Sequence, residues 1–104
     1  MYYIYMLRCE DNSIYTGITT DLERRMSEHF EKNEKCAKYT NSHTPKKLEK
    51  VWKTTTKSLA SKLEYHIKKL PKLKKEGLVN NIYDIQDVLS DKIETDLYEL
   101  YNFR

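Results

Sequence analysis

The stretch YYIYMLRCEDNSIYTGIT, residues 2–19, decides the fold. Residues 2–9 alternate aromatic and aliphatic side chains of high strand propensity, and residues 14–19 form a second run of the same kind. The polar residues 10–13 between them are typical of a turn. The stretch therefore predicts a β-hairpin. Gly17, one of two glycines in the chain, indicates a bulge or a close approach to the backbone in the second strand.

A helix is predicted directly after the hairpin, from about residue 21 to residue 34. Thr20 followed three residues later by Glu23 has the spacing of a capping box. Apolar residues then recur at helical spacing and predict the buried stripe of this helix: Leu22, Met26 and Phe30.

The middle of the chain continues as loop, strand and helix. Residues 36–47 read as a loop with a short extended piece around residues 37–40, because they contain Asn, Ser, Thr and Pro. Residues 48–55 predict the third strand, and residues 57–70 return to helical spacing until Pro71 ends the second helix.

The last segment predicts one amphipathic helix of about five turns, whose apolar residues keep three- and four-residue steps: Ile82, Ile85, Leu89, Ile93, Leu97 and Leu100. The expected fold class is α+β, a small, three-stranded, largely antiparallel sheet flanked by helices with an extra C-terminal helix. At 104 residues the chain is long enough for one core. We expect a domain over residues 1–80 and a helical extension of it over residues 81–104.

Charge is distributed unevenly along the chain. The net charge is +3, but residues 1–82 carry +7 and residues 83–104 carry −4. Residues 32–75 hold 14 lysines. Such a surface favours a polyanion through counterion release, and a solvated lysine-rich surface with no ligand is the alternative. The acidic tail would cover apolar surface on its own domain or on a second subunit, giving a monomer or a weak homodimer; its acids could also lie over the basic face.

Several classes are disfavoured by what the sequence contains. The two cysteines, Cys9 and Cys36, lie far apart and without histidines at zinc-ligand spacing, so a structural zinc site is not expected. The N-terminal residues do not resemble a secretory leader, and no run of 18 apolar residues predicts a membrane span. We expect an intracellular protein, cytoplasmic or nuclear, with no membrane partner.

Polar residues of the hairpin and first helix form a candidate site. Tyr3 and Tyr5 share one side of the first strand, and Tyr15 lies on the paired strand. Arg25 and His29, one turn apart, lie on the shoulder of the helix's apolar stripe. A phosphate would be a suitable partner for such an arginine. Core tyrosines, an arginine extending along apolar surface and a surface histidine are the alternatives.

Four ordered pieces together resemble the GIY-YIG endonuclease family, in particular its small single-domain branch similar to the N-terminal nuclease domain of UvrC. The first is Tyr3-Ile4-Tyr5 followed by Tyr15-Thr16-Gly17, and the second is residues 21–25 with His29. The third is residues 37–40, AKYT, and the fourth is residues 61–70, SKLEYHIKKL, similar to that family's metal-binding helix. The resemblance covers about residues 1–75.

The match departs from the family pattern at three points. Tyr3 stands where the family usually has glycine, and Thr16 stands where it has isoleucine, both at strand positions. An asparagine that many members carry near the end of the domain has no secure counterpart, although Asn80 or Asn81 could serve. The last part of the site is therefore open.

The resemblance implies a metal-dependent endonuclease acting on nucleic acid, with DNA favoured over RNA. It implies one Mg²⁺ or Mn²⁺ ion held by Glu64, a grip on the phosphate by Arg25, and a water positioned or deprotonated by Tyr5 or Tyr15. His29 would support them, Tyr3 and Gly17 would be structural, and four lysines would follow the nucleic-acid backbone: Lys46, Lys47, Lys68 and Lys69.

Helical spacing alone favours other roles for two residues of the second helix. Glu64 precedes Lys68 by four residues, the spacing of a surface ion pair, and His66 is expected to be a packed or edge histidine. A nucleic-acid-binding module that has lost turnover is the alternative function, and an interaction protein using the tail helix is a third.

Overall fold

A computed structural model of the chain describes residues 1–31 and 43–103. Its elements, in chain order, are β1 (Tyr2–Cys9), β2 (Ile14–Thr19), α1 (Leu22–Glu31), β3 (Pro45–Thr54), α2 (Lys57–Lys69), α3 (Lys72–Val79), α4 (Ile85–Leu89), a 3₁₀ turn (Thr95–Leu97) and β4 (Glu99–Leu100). The extended piece expected at residues 37–40, the end of the first helix at residues 32–34 and Cys36 lie outside the described residues.

The strands form one antiparallel sheet in the order β2-β1-β3-β4, which confirms the α+β class. The hairpin of β1 and β2 lies where the sequence predicts it, and Tyr5 on the central strand stands opposite Gly17 on one side and Val51 on the other. The two-residue strand β4 is an addition to the three expected strands.

Two apolar clusters cover the two faces of the sheet. On one face, Ile4, Met6 and Trp52 pack with residues of α2, α3 and α4: Ala60, Leu63, Ile67, Leu78, Ile85 and Leu89. On the other face, Tyr5, Leu7 and Val51 pack beneath α1 and the C-terminal residues Tyr101 and Phe103. Alternate β1 side chains therefore enter different clusters, as strand geometry requires.

β3 begins at Pro45, three residues earlier than predicted, so Lys46 and Lys47 lie in a strand and not in a loop. The pairing with β1 continues past a register shift at Glu49, which interrupts the alternation that sequence analysis follows. The longer β3 is stabilised by the buried Arg8 of β1. Its guanidinium donates to Glu49 on β3 at 3.0 Å and to both carboxylate oxygens of Glu76 on α3 at 2.5 Å.

The prediction of one long C-terminal helix is wrong. An additional helix, α3, follows Pro71, and Asn81 then adopts a positive φ of 60° that ends the helical path. Asp84 and Asp87 form a reciprocal capping box that starts the short helix α4. The predicted apolar stripe still enters the chain's own core, through Ile85, Leu89 and Ile93, in separate pieces.

The beginning and the buried side of α1 also differ from expectation. Asp21, and not Thr20, caps the helix, because its carboxylate accepts a hydrogen bond from Arg24 N at 3.1 Å. Phe30, placed in the buried stripe by its spacing, is 44% exposed, whereas the fully buried residues of α1 are Glu28 and His29. The helix thus turns a polar side towards the sheet, and its partner there is the Tyr5 hydroxyl.

Across the described residues, no helix is both long and apolar enough to span a bilayer.

Candidate active site at the tyrosine hairpin

Gly17 makes room for the two tyrosines that face each other across the hairpin. Tyr5 and Tyr15 lie with their ring centres 6.1 Å apart. A Cβ atom on Gly17 would come within 2.5 Å of the Tyr5 hydroxyl and 2.9 Å of the Tyr15 ring. Only a residue without a side chain therefore fits, and the close approach predicted from the sequence is observed between these rings.

His29 of α1 closes over both rings. Its Nε2 lies 2.7 Å from the Tyr5 hydroxyl, and its ring centre is 5.6 Å from that of each tyrosine. The histidine is fully buried. Burial and the nearby charge of Arg25 lower the pKa of His29 to about 4, so the imidazole is neutral at physiological pH.

Arg25 lies one turn before His29, and a buried carboxylate holds it. Its Nη1 donates to Glu28 Oε1 at 2.7 Å, and its guanidinium also bonds the Tyr5 hydroxyl. Burial lowers the pKa of Arg25, but these two hydrogen bonds outweigh it and hold the pKa above its usual value. Arg24, by contrast, is 59% exposed and lies 3.7 Å from the same Glu28.

The helix α2 brings Glu64 and Lys68 to the same place from the other side of the hairpin. Their side chains pair at 3.3 Å, as their spacing indicates. The Lys68 ammonium lies 5.7 Å from the centre of the Tyr15 ring. The Glu64 carboxylate is near enough to the Tyr5 phenol to raise its pKa. The pair is therefore not a remote surface ion pair, because it adjoins both tyrosines.

The Tyr5 phenol connects the charged groups of the site. Burial, then Tyr15, raise its pKa above the usual value, with Glu64 adding to them and Arg25 opposing. A phenol that deprotonates water as a free phenolate needs a pKa lowered by its neighbours, and burial has the opposite effect on the pKa of Tyr5. At neutral pH the hydroxyl therefore keeps its proton.

Of the two described carboxylates at this site, Glu28 is bonded to Arg25, so Glu64 is the one better placed to hold a metal ion. No group of three or more His, Cys, Asp or Glu side chains occurs among residues 1–31 and 43–103. Glu64 has a side chain that is 23% exposed and borders the tyrosines. Its hard oxygen donors suit Mg²⁺, which commonly keeps several water ligands and uses few from the protein.

The predicted nucleic-acid lysines do not all lie at this cluster. Lys68 adjoins Tyr15, and Lys69 lies over the exposed Tyr65 ring at 5.3 Å. Lys46 and Lys47 are exposed on β3. In the pairing of β3 with β1, Lys47 stands opposite Arg8, which is three residues further along β1 than Tyr5.

The asparagine candidates lie elsewhere as well. Asn81 accepts a hydrogen bond from Lys50, which stands opposite Met6 and so belongs to the other face of the sheet. Two cavities of about 590 and 600 Å³ adjoin this pair and not the tyrosines. Asn80 caps α3.

Sequence reasoning missed Glu28, the carboxylate that holds Arg25. Glu28 follows Arg25 by three residues and Arg24 by four, and this helical spacing is the signal that could have identified it. Five residues predicted from the sequence to share a site are neighbours in the structure, and their roles remain predictions: Tyr5, Tyr15, Arg25, His29 and Glu64. Tyr3 lies beside them on β1.

Comparison with known proteins identifies the family. Residues 1–76 match the GIY-YIG catalytic domain. A UPF0213 protein of Fusobacterium nucleatum is 46% identical over 97 residues, covering 89% of this chain and 95% of that protein. A UPF0213 protein of Halalkalibacterium halodurans is 43% identical, covering 76% and 82%. The solution NMR structure of a UPF0213 protein from Bacillus halodurans is 42% identical, with coverage of 77% and 84% and a TM-score of 0.49. With its tyrosine hairpin and a match over residues 1–76, the chain belongs to the GIY-YIG family, a family of nucleases.

Proposed function

We propose that the protein is a metal-dependent endonuclease that hydrolyses phosphodiester bonds in nucleic acid, with DNA as the favoured substrate. The observation that carries this proposal is the convergence of two helices on one phenol. Arg25 of α1 and Glu64 of α2 both act on the Tyr5 hydroxyl, which also bonds His29. An arginine, a carboxylate and a histidine that can accept a proton therefore all interact with the same phenol.

Arg25 binds the phosphoryl oxygens of the scissile phosphate. Its planar guanidinium can give two parallel hydrogen bonds, and the negative charge on these oxygens grows in the transition state. Glu28 holds the guanidinium at 2.7 Å before the substrate arrives. The arginine therefore needs little reorganisation when the phosphate binds, so the charge is stabilised more strongly during reaction than before it.

Tyr5 orients the attacking water through its oxygen and passes a proton to His29. A neutral imidazole can accept the hydroxyl proton at Nε2, and the Tyr5 oxygen, which faces Arg25 with one lone pair, can accept a hydrogen bond from water with its second lone pair. As the water attacks, its proton moves to Tyr5 while the phenol proton moves to His29. This exchange avoids a free phenolate, which the raised pKa of Tyr5 disfavours. Tyr15 is the other candidate for holding the water.

Glu64, with waters and phosphate oxygens, would hold one Mg²⁺ or Mn²⁺ ion. Such an ion supplies Lewis-acid neutralisation of the phosphate and of the leaving oxygen. Within the chain, Glu64 is kept in place by Lys68, which also lies beside Tyr15.

The substrate side of the proposal follows from charge. Lys68 and Lys69 on α2 and Lys46 and Lys47 on β3 would contact the sugar-phosphate backbone. Such contacts carry no sequence information, so we infer that substrate shape or strand state is selected. We assign the chain to intracellular DNA repair, recombination or processing, with residues 1–80 as the nuclease unit and residues 81–104 as its extension.

The test is cleavage of labelled single-stranded, duplex and branched DNA and of RNA, with Mg²⁺, Mn²⁺ or a chelator. We expect wild-type cleavage to need the metal, and Arg25→Ala and Glu64→Gln each to lower it by about 100-fold or more. Glu23→Gln is a matched control on an exposed position of α1 and should cleave at the wild-type rate.

Two outcomes would reject the endonuclease. Cleavage that survives both Arg25→Ala and Glu64→Gln would come from a contaminant. Metal-independent binding of nucleic acid without cleavage, in protein of verified fold, would instead support the alternative of a non-catalytic nucleic-acid-binding module.

A further inference from the structure

An aromatic surface with one lysine adjoins the tyrosine cluster on the α1 face of the sheet. We name it the aromatic platform, and it consists of Tyr3, Lys53, Tyr101 and Phe103. The Tyr3 and Tyr101 rings meet edge to face with centres 5.1 Å apart, and the Lys53 ammonium lies 5.8 Å from the Tyr101 centre. The three rings are each partly exposed. The platform thus offers aromatic surface and a positive charge together.

The platform continues directly from the candidate active site. Tyr3 precedes Tyr5 by two residues on the same side of β1, a separation of about 7 Å. Tyr101 N donates to Val51 O at 2.9 Å, and Val51 stands opposite Tyr5. A nucleotide next to a phosphate bound at Tyr5 would therefore reach the platform.

The C-terminal residues that complete the platform lie outside the matched domain. The family match ends at residue 76, whereas Tyr101 and Phe103 belong to the tail. The tail packs Ile85, Leu89 and Ile93 on one face of the sheet and then places these two rings on the opposite face. This path delivers aromatic side chains to the edge of the active site.

The chemistry of the platform fits an unpaired nucleobase. Base-aromatic stacking tolerates any sequence, and the lysine can approach a neighbouring phosphate. A base inside a duplex is already stacked on both sides and cannot offer a free face. Lys53 also lies 3.9 Å from Glu99, whose carboxylate is exposed, so the lysine is only loosely engaged within the chain.

We propose that the aromatic platform binds an unpaired base of single-stranded nucleic acid, one nucleotide from the phosphate at Tyr5. The substrate would then be a single strand or a single-stranded branch of a larger structure. The position of the scissile phosphate rests on the proposed endonuclease function, whereas the binding of an unpaired base does not need cleavage.

The experiment measures binding of the full chain to a fluorescent oligothymidylate and to a blunt-ended duplex of two complementary strands, both in a chelator. Tyr101→Leu and Tyr3→Leu keep apolar bulk but remove the stacking ring. We expect each to weaken single-strand binding about tenfold, or ~1.4 kcal/mol, with duplex binding unchanged. Tyr101→Phe should bind like wild type, and Lys53→Gln should lower the salt dependence of single-strand binding.

A second tyrosine-lysine pair provides the matched control. The Lys74 ammonium lies 4.5 Å from the centre of the Tyr83 ring, which packs against the other face of the sheet. Tyr83→Leu and Lys74→Gln should leave single-strand affinity unchanged. Thermal unfolding of every variant separates lost binding from lost folding, and Tyr101→Phe and Lys53→Gln remain informative where a leucine variant does not fold.

The outcomes separate this inference from the proposed function. If Arg25→Ala abolishes wild-type cleavage but Tyr101→Leu and Lys53→Gln bind single strands like wild type, the platform is overturned and the endonuclease stands. If neither the wild type nor any variant cleaves, but the folded platform variants bind single strands more weakly than the wild type and the control variants do, the platform is supported and the endonuclease function is rejected. Equal losses on the duplex and the single strand would overturn the assignment to unpaired bases.

Discussion

The substitution Gly17→Ala tests whether the hairpin glycine is required to place Tyr5 and Tyr15, the tyrosines of the candidate site. The added Cβ would lie 2.5 Å from the Tyr5 hydroxyl and 2.9 Å from the Tyr15 ring. Ordinary contact begins at 3.4 Å, so the hydroxyl would have to move by about 0.9 Å. Tyr5 is 1% exposed and packed under α1, and its ring has no solvent-filled space to enter.

Two effects oppose each other in the stability of this variant. Alanine in place of a strand glycine is favourable by roughly 0.5–1 kcal/mol, while overpacking in a well-packed site costs about 1–3 kcal/mol. We therefore expect a net destabilisation of about 1–2 kcal/mol, which corresponds to a fall in Tm of roughly 5–10 °C for a chain of this size. Urea unfolding followed by the fluorescence of Trp52, the single tryptophan, measures it.

Activity should fall further than stability. A displacement of about 1 Å in a positioned reacting group costs on the order of 100-fold in rate, so kcat should drop by about that factor in folded Gly17→Ala. Gly77→Ala is the matched control, because Gly77 lies on α3 and its Cβ would crowd the Tyr83 ring, away from Tyr5 and Tyr15. Its kcat should match wild type. An unchanged kcat, or a higher Tm, in Gly17→Ala would refute the seating argument.

Two further predictions concern the polar side of α1. Glu28→Gln removes the charge that holds Arg25 at 2.7 Å, so kcat should fall about tenfold with KM little changed in steady-state cleavage; an unaltered kcat would remove Glu28 from the site. The pKa of His29 is about 4 in the folded chain against 6.5 ordinarily, so the unfolded chain binds more protons between these values and falling pH favours unfolding. From pH 7 to pH 5 the free energy of unfolding should drop by about 2 kcal/mol on this account. This loss should disappear in His29→Gln but persist in His66→Gln when urea unfolding is compared at both pH values.

The sequence predicted the parts of the fold that local patterns control. The hairpin over residues 2–19 has alternating strands and a polar turn, and residues 57–69 have a helical stripe with a threonine that caps the helix at Leu59 N. The helix and the pairing of β1 with β2 satisfy backbone groups with residues nearby in the sequence, although β1 also pairs with the distant β3. Their types and limits therefore follow from local spacing.

The tail was mispredicted because its apolar residues have helical spacing throughout, whereas only short parts of it form a helix. Three- and four-residue steps place apolar residues on one side of a helix, but short pieces joined by turns can bury the same residues. Asn81, in the left-handed region, and the Asp84 capping box interrupt the path. Asp84 and Asp87 have the i, i+3 spacing of a cap, a signal that the apolar pattern masked.

The buried side of α1 was mispredicted for a different reason. Apolar periodicity assigns burial to Leu22, Met26 and Phe30, whereas Glu28 and His29 are the buried residues. They are buried because each has a polar partner, Arg25 for the carboxylate and Tyr5 for the imidazole. The spacing of residues within one helix carries no information about a hydrogen-bond partner on a distant strand, such as the Tyr5 hydroxyl on β1. Helical spacing placed His29 beside Arg25 on the shoulder of the apolar stripe but did not predict its burial, and this difference between apolar spacing and polar burial coincides with the candidate site.

The charges of the site explain why a cation is expected with the substrate. Arg25 is paired with Glu28 and Lys68 with Glu64, while Tyr5 keeps its proton and His29 is neutral. These groups sum to zero, so a phosphodiester brought among them would leave a net negative charge beside two carboxylates. If Glu64 holds a divalent ion, as proposed, that charge would reverse the sign, and Arg25 would bind the phosphate without repulsion from its neighbours. Because the arginine is already neutralised before the substrate arrives, nucleic acid and metal should bind with mutual dependence, each raising the affinity of the other.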